Sequence, residues 1–88
     1  VREGLREAGY DVLDLSDAGN GIPDLCVNRL DEIRSLPLFI EVKDGEKPPS
    51  QRRLTQAEQT WARYCGAITV TVLTLQGALE ACKRHFGV

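Results

Sequence analysis

The chain is 88 residues long, 42% hydrophobic and 27% charged, with a formal net charge of −2. A chain this short buries only about 60% of the surface its unfolded form exposes, which supports one core and excludes a two-domain arrangement, so residues 1–88 are read as a single domain. No apolar run approaches the roughly 18 residues a membrane-spanning helix needs, which argues against membrane insertion.

The chain opens at Val1 rather than Met, without a basic and apolar signal segment, so native residues are expected to precede it. Val1, Leu5 and Ala8 recur at helical spacing and Gly9 follows, which reads as the end of an amphipathic helix. Tyr10, Val12, Leu13 and Leu15 fit a short strand ending in the turn-rich run Ser16–Gly21. After Ile22-Pro23, Asp24–Val27 reads as a second strand and Leu38–Lys43 as a stronger third. A polar connection, residues 28–37, links them as an antiparallel hairpin with a long loop. Asp44–Ser50 contains two prolines, which disfavour a returning strand and leave a basic loop.

Thr55 with Glu58 forms a T-x-x-E capping box, so a second helix is expected over Gln56–Cys65, with Ala57, Trp61, Tyr64 and Cys65 on one face and Gly66 at its end. Ile68–Leu73 is a β-branched strand, and Leu75, Leu79, Cys82 and Phe86 form the stripe of a last helix. The order α-β-β-β-α-β-α implies an α/β fold, a mixed sheet with helices on its faces. There is no internal repeat and no low-complexity segment.

Three cysteines, Cys26, Cys65 and Cys82, lack any C-x-x-C spacing, and His85 is the sole histidine. Neither a disulfide framework nor a tetrahedral zinc site follows; reduced, buried thiols are expected, and any metal should be held through oxygen. Residues 1–44 carry five Lys/Arg against ten Asp/Glu, and residues 45–88 carry six against three. An acidic half beside a basic one is a weak pointer to a carboxylate site next to a polyanion, and equally often ordinary surface charge.

The residues that carry chemistry are Gly21-Ile22-Pro23-Asp24 before one strand and Glu41-Val42-Lys43 at the end of the next. Strand alternation projects Glu41 and Lys43 from one face, and pairing of the two strands brings Asp24 toward Glu41. Two carboxylates and a backbone carbonyl such as that of Val42 make a hard oxygen nest suited to Mg²⁺ or Mn²⁺. The lysine supplies a positive donor that holds a scissile phosphate or helps orient and deprotonate the attacking water, which makes phosphodiester hydrolysis the natural chemistry. Taken alone, E-x-K in a strand is ordinarily a solvated charged face, and G-x-P-D alone is a turn. Their order, followed by a basic Pro-rich loop and a capped helix, is what raises the nuclease reading.

The run GIPDL, then LFIEVKDGEKPPSQRRLT, resembles the VRR-Nuc group of the PD-(D/E)XK nuclease superfamily, over roughly residues 4–80. The resemblance implies a restriction-endonuclease-like core and a Mg²⁺- or Mn²⁺-dependent DNA endonuclease, selective for structures such as branched, flap or Holliday-junction DNA. It further implies a homodimer, without membrane or small-molecule cofactor, in the cytoplasm of a bacterial or phage-infected cell. It places the acidic metal ligands at Asp24 and Glu41, the carbonyl ligand at Val42 and the catalytic lysine at Lys43. The family's glutamine at the start of the following helix falls in register on Glu58, with Gln59 beside it; Glu58 is also explained by capping, and both are candidates. A first-helix glutamate is implied as well, usually further before the Gly9 position than this chain extends; Glu3 and Glu7 are the candidates within it, and each also reads as a solvated helix residue.

Lys47, Ser50, Arg52 and Arg53 follow Lys43 closely, where a DNA backbone must pass to reach a metal, and are the candidate phosphate contacts. Nothing resembles a base-reading module, so selectivity would rest on DNA shape. Trp61 and Tyr64 are expected in the core rather than as a stacking surface, and His85 is given no catalytic role. The alternatives are a non-catalytic nucleic-acid-binding module with a nuclease fold, and a small structural subunit whose basic loop docks a protein.

Overall fold

The computed structural model describes residues 1–18, 21–29, 36–43 and 55–87. Among them the elements run α1 (Arg2–Glu7), β1 (Tyr10–Asp14), β2 (Leu25–Arg29), β3 (Leu38–Val42), α2 (Gln56–Cys65), a 3₁₀ turn (Gly66–Ile68), β4 (Thr69–Val72) and α3 (Leu75–Phe86). This is an α/β fold: a four-stranded mixed sheet in the order β1-β2-β3-β4, flanked by helices. β1, β2 and β3 are successively antiparallel, and β3 pairs with β4 in parallel, as a crossover containing α2 requires.

Alternation along the strands sorts the two faces. Val12, Leu25, Val27, Leu38, Ile40 and Val72 are buried with Leu5 of α1 and Ala78, Ala81 and Cys82 of α3, forming the core on one side of the sheet. Tyr10 stacks on Phe86 at its margin, with ring centroids 5.8 Å apart. On the other side Phe39 meets Trp61 of α2 edge to face at 5.2 Å. The Trp61 indole donates to Thr69 Oγ1 at 3.0 Å, and that hydroxyl donates to the Cys65 carbonyl at 2.7 Å, which joins the end of α2 to β4.

Three expectations about burial are corrected. Tyr64 is 81% exposed, not in the core: α2 meets the sheet through Trp61, and although Tyr64 lies nearly one turn further along the same side, the covered strip does not reach it. In α3 the expected stripe holds at Cys82, which is buried, and at Leu79 and Phe86, which pack half-buried against the core; the departures are Leu75, 38% exposed over Gly4 of α1, and the buried Ala78 and Ala81 beside the stripe. All three cysteines are free, but only Cys82 is fully buried; Cys26 and Cys65 are half-buried. Among the described residues no helix is long and apolar enough to cross a membrane.

Candidate functional site

The candidate site forms where β2 begins and β3 ends. The register Leu25↔Ile40 sets Asp24 across from Glu41, and at this end the regular ladder gives way to a side chain. The Asp24 Oδ2 accepts the backbone N–H of Val42 at 2.8 Å, and the Leu15 N–H is satisfied by the Asp24 carbonyl at 2.7 Å. Asp24 is thus tied through both its backbone and its side chain to the strands on either side of it.

Glu41 breaks the alternation of β3. It lies on the Phe39 face, yet it is only 7% exposed, the one charged residue buried among those described. Burial raises its carboxyl, the hydrogen bond it donates to the Glu58 carboxylate and the charges of Asp24 and Glu58 raise it further, and Lys43 only partly opposes them; the carboxyl is pushed up to about 7.

Lys43 follows one residue past β3, and its backbone N–H donates to the Val72 carbonyl at 2.9 Å, extending the parallel pairing. Its ammonium donates to Glu58 Oε1 at 2.8 Å and Oε2 at 3.1 Å, and stands 3.5 Å from Glu41 Oε1, so Glu41 and Lys43 do share a face. Burial alone would lower the Lys43 pKa, but the bond and charge of Glu58, with Glu41, more than offset it and the net shift is upward. The ammonium is therefore held charged. It serves as a cationic hydrogen-bond donor, and the expectation that it deprotonates water is not favoured by its surroundings.

Glu58 does two things at once. Its carboxylate accepts the Thr55 N–H at 2.7 Å while its own N–H donates to the Thr55 hydroxyl at 3.2 Å, completing the capping box. The same carboxylate holds Lys43. Burial would raise its pKa, but Lys43, the Thr55 N–H and Glu41 outweigh that and hold it well below the usual carboxylate range. The candidate beside it, Gln59, is exposed, and it is Glu58 that reaches Lys43.

Two clefts flank this end of the hairpin. One, of about 400 Å³, is lined by Glu3, Asp14, Ser16, Asp24 and Val42. The other, of about 150 Å³, lies under α2 and is lined by Gly21, Pro23, Glu41, Glu58, Trp61 and Thr71. Of the two first-helix candidates, Glu3 joins Asp24 in the first cleft, where it also pairs with Arg2 and Arg6, and Glu7 does not line it. Arg2 additionally pairs with Asp14, whose carboxylate is bound by Ser16.

The donor set of Asp24, Glu41 and the Val42 carbonyl consists of hard oxygens, and among the described residues no three His, Cys, Asp or Glu converge as a cage. Mg²⁺ keeps several of its waters and takes one or two carboxylates from a protein, so Asp24, in the larger cleft with Val42, and Glu41, in the smaller, are each of the donor type it uses. A buried carboxyl crowded by two other acidic side chains, with one lysine to oppose them, marks a place where additional positive charge is favourable. Lys47, Ser50, Arg52 and Arg53 lie outside the described residues. His85 is far from these groups in the fold; its Nε2 meets the Leu36 carbonyl at 2.8 Å, tying α3 to the start of β3. No family model, curated protein or solved structure matches the chain.

Proposed function

We propose that the protein is a metal-dependent DNA endonuclease built on a restriction-endonuclease-like core of the VRR-Nuc type, acting on branched, flap or four-way-junction DNA. The observation that carries this reading is the gathering of Asp24, Glu41 and Lys43 at one end of a hairpin, with Glu41 buried and Lys43 held charged beside it. A buried carboxylate paired with a lysine costs desolvation energy that a purely structural role would avoid with an apolar residue of similar size.

Asp24, Glu41 and the Val42 carbonyl would hold Mg²⁺ or Mn²⁺. The ion supplies Lewis-acid stabilisation of the charge on the phosphoryl group and lowers the pKa of a bound water. Around it the chain's own groups divide the work. Asp24 is fixed by the Val42 N–H, so its carboxylate is oriented before any ligand arrives. Glu41, crowded toward protonation by its burial, by Glu58 and by Asp24, would serve as a ligand only in its ionised form. Lys43 donates a hydrogen bond to a non-bridging phosphate oxygen and offsets charge that grows in the transition state.

DNA enters this reading through the basic segment that carries Lys47, Ser50, Arg52 and Arg53, whose contacts would position the backbone and weaken with salt. A homodimer would present two sites to the paired strands of a junction; sedimentation as a monomer at working concentrations would remove that part of the proposal. The nuclease reading is tested by incubating the chain with labelled single strand, duplex, flap and four-way junction in Mg²⁺, Mn²⁺ or EDTA. Cutting that requires the metal supports it. Salt-dependent binding of the junction with no cutting in either metal would favour a nucleic-acid-binding module of the same fold.

A further inference from the structure

We infer that Glu58 is the positioning residue for Lys43 and that the first turn of α2 is built as its clasp. The consequence for cleavage rests on the nuclease reading, whereas the clasp itself does not. Glu58 and Lys43 form a largely enclosed pair, their side chains 13% and 15% exposed, with both carboxylate oxygens within 3.1 Å of the ammonium. A pair in this setting is not a solvated surface bridge of negligible worth.

Three features fix where that carboxylate sits. Its Oε1 also accepts the Thr55 N–H at 2.7 Å, so the capping box orients the side chain from the helix end. The helix end is in turn seated on the Gly-Ile-Pro-Asp loop. Gly21 has φ +82°, and a Cβ there would lie 2.4 Å from the carbonyl carbon of Ala57, the residue before Glu58. Finally, Thr69 fastens the far end of α2 to β4 through Trp61 and Cys65. The loop that leads into Asp24, the end of β3 and the helix that carries Glu58 are thereby locked to one another.

The chemistry of the ammonium gives this arrangement a purpose. Lysine has three N–H donors and a long flexible stem. Glu58 Oε1 and Oε2 and Glu41 Oε1 surround the ammonium and remove the rotational freedom of the stem, and a phosphate oxygen would take the place of the most distant of them, Glu41 at 3.5 Å. Glu58 touches the lysine and not the reacting atoms, so it acts through Lys43.

The test compares wild type with Glu58→Gln and Thr55→Ala in EDTA at neutral pH, by correlation spectra of the lysine side-chain ammonium groups and of the backbone amides. Glu58→Gln keeps the volume and an oxygen to accept from Thr55, but removes the charge that holds Lys43. Thr55→Ala removes the capping hydroxyl and leaves the Thr55-position N–H and the clasp in place. The Lys43 ammonium, assigned by its loss in Lys43→Arg, is expected to be protected from solvent exchange and visible in wild type and Thr55→Ala. It is expected to vanish in Glu58→Gln while the α2 amides persist.

An equally visible Lys43 signal in Glu58→Gln, or none in wild type, would overturn the inference. With a cleavable junction, Glu58→Leu, which offers Lys43 no acceptor, should lower kcat by about 10²-fold at nearly unchanged KM, the scale of a misplaced catalytic group; an unchanged kcat would overturn it as well. A chain that shows the expected spectra but cuts no DNA retains the clasp and loses the nuclease reading.

Discussion

The Asp24 carboxylate accepts the Val42 backbone N–H at 2.8 Å, so a side chain stands where the β2–β3 ladder would otherwise continue. One residue is thereby asked to terminate a sheet and to present a charge, and the two duties can be separated. Asp24→Asn keeps an acceptor for Val42 and removes the charge; Asp24→Ala leaves the Val42 N–H without its partner, at a cost of about 1–3 kcal/mol. In urea denaturation Asp24→Asn should therefore lie close to wild type and Asp24→Ala clearly below it, while both lose metal-dependent cleavage. Equal stabilities of the two variants would show that the hydrogen bond carries no weight.

Glu41 and Glu58 make opposite contributions to stability with pH. Glu41 is pushed up to about 7 from 4.5, so the folded metal-free protein retains a proton that the unfolded chain has released, and stability falls as pH rises through that interval. Glu58, held low, stabilises the fold above 4.5 and loses that contribution as pH falls below it. In EDTA the wild type should lose about 1–3 kcal/mol between pH 5 and pH 7.5. Glu41→Gln should flatten that loss, and saturating Mg²⁺ should reduce it in the wild type, because a bound cation favours the ionised carboxyl. A wild-type stability that is level across this interval in EDTA would contradict the burial and crowding described for Glu41.

Gly21 and Gly9 both have positive φ, +82° and +98°, but only Gly21 is pressed against a neighbour. Substitution to alanine at Gly9 meets nothing within 4 Å and costs only the backbone strain of about 1 kcal/mol. At Gly21 the added Cβ meets the Ala57 backbone, so the cost should exceed that of Gly9→Ala by about 1–3 kcal/mol. Thermal or urea unfolding of the two variants measures the difference. Similar values would mean that α2 is not seated on this loop.

The Thr69 hydroxyl links the Trp61 indole to the Cys65 carbonyl. Thr69→Val keeps the shape and removes both bonds, leaving the indole N–H unsatisfied in a half-buried setting, and should destabilise by about 1–2 kcal/mol. Chemical denaturation of this variant checks it, and an unchanged midpoint would show that the Thr69 bonds add nothing to the hold on α2.

Much of this arrangement can be read from the chain before any coordinates. The alternation of Glu41, Val42 and Lys43 puts the two charges on one face, and T-x-x-E at Thr55 marks the start of α2; both are local rules that need only neighbours in sequence. The element order and the antiparallel β2–β3 hairpin follow from short-range pattern in the same way. What lies beyond such rules is tertiary. Helical spacing groups Tyr64 with Trp61, but it cannot tell how narrow a strip of α2 the sheet covers, and Tyr64 lies outside it. Leu75 outweighs alanine in hydrophobicity, yet it is exposed while α3 buries Ala78 and Ala81. Capping accounts fully for Glu58 in sequence, so its second partner is hidden until β3 and α2 are brought together. The charge alternation did contain a signal: a lysine at the end of a buried strand needs an acid close by, and Glu58 opens the next helix.

The central claim is that Asp24, Glu41 and Lys43 form one hydrolytic site. It is tested most directly by metal-dependent cleavage of a labelled four-way junction, with wild type run beside Asp24→Asn. The substitution spares the Val42 hydrogen bond and removes a metal-binding charge, so loss of activity cannot be ascribed to an unlatched strand. Wild type should cut in Mg²⁺ or Mn²⁺ and not in EDTA, and Asp24→Asn should cut in neither metal. Full activity of Asp24→Asn, or wild-type cutting that persists in EDTA, would contradict that claim.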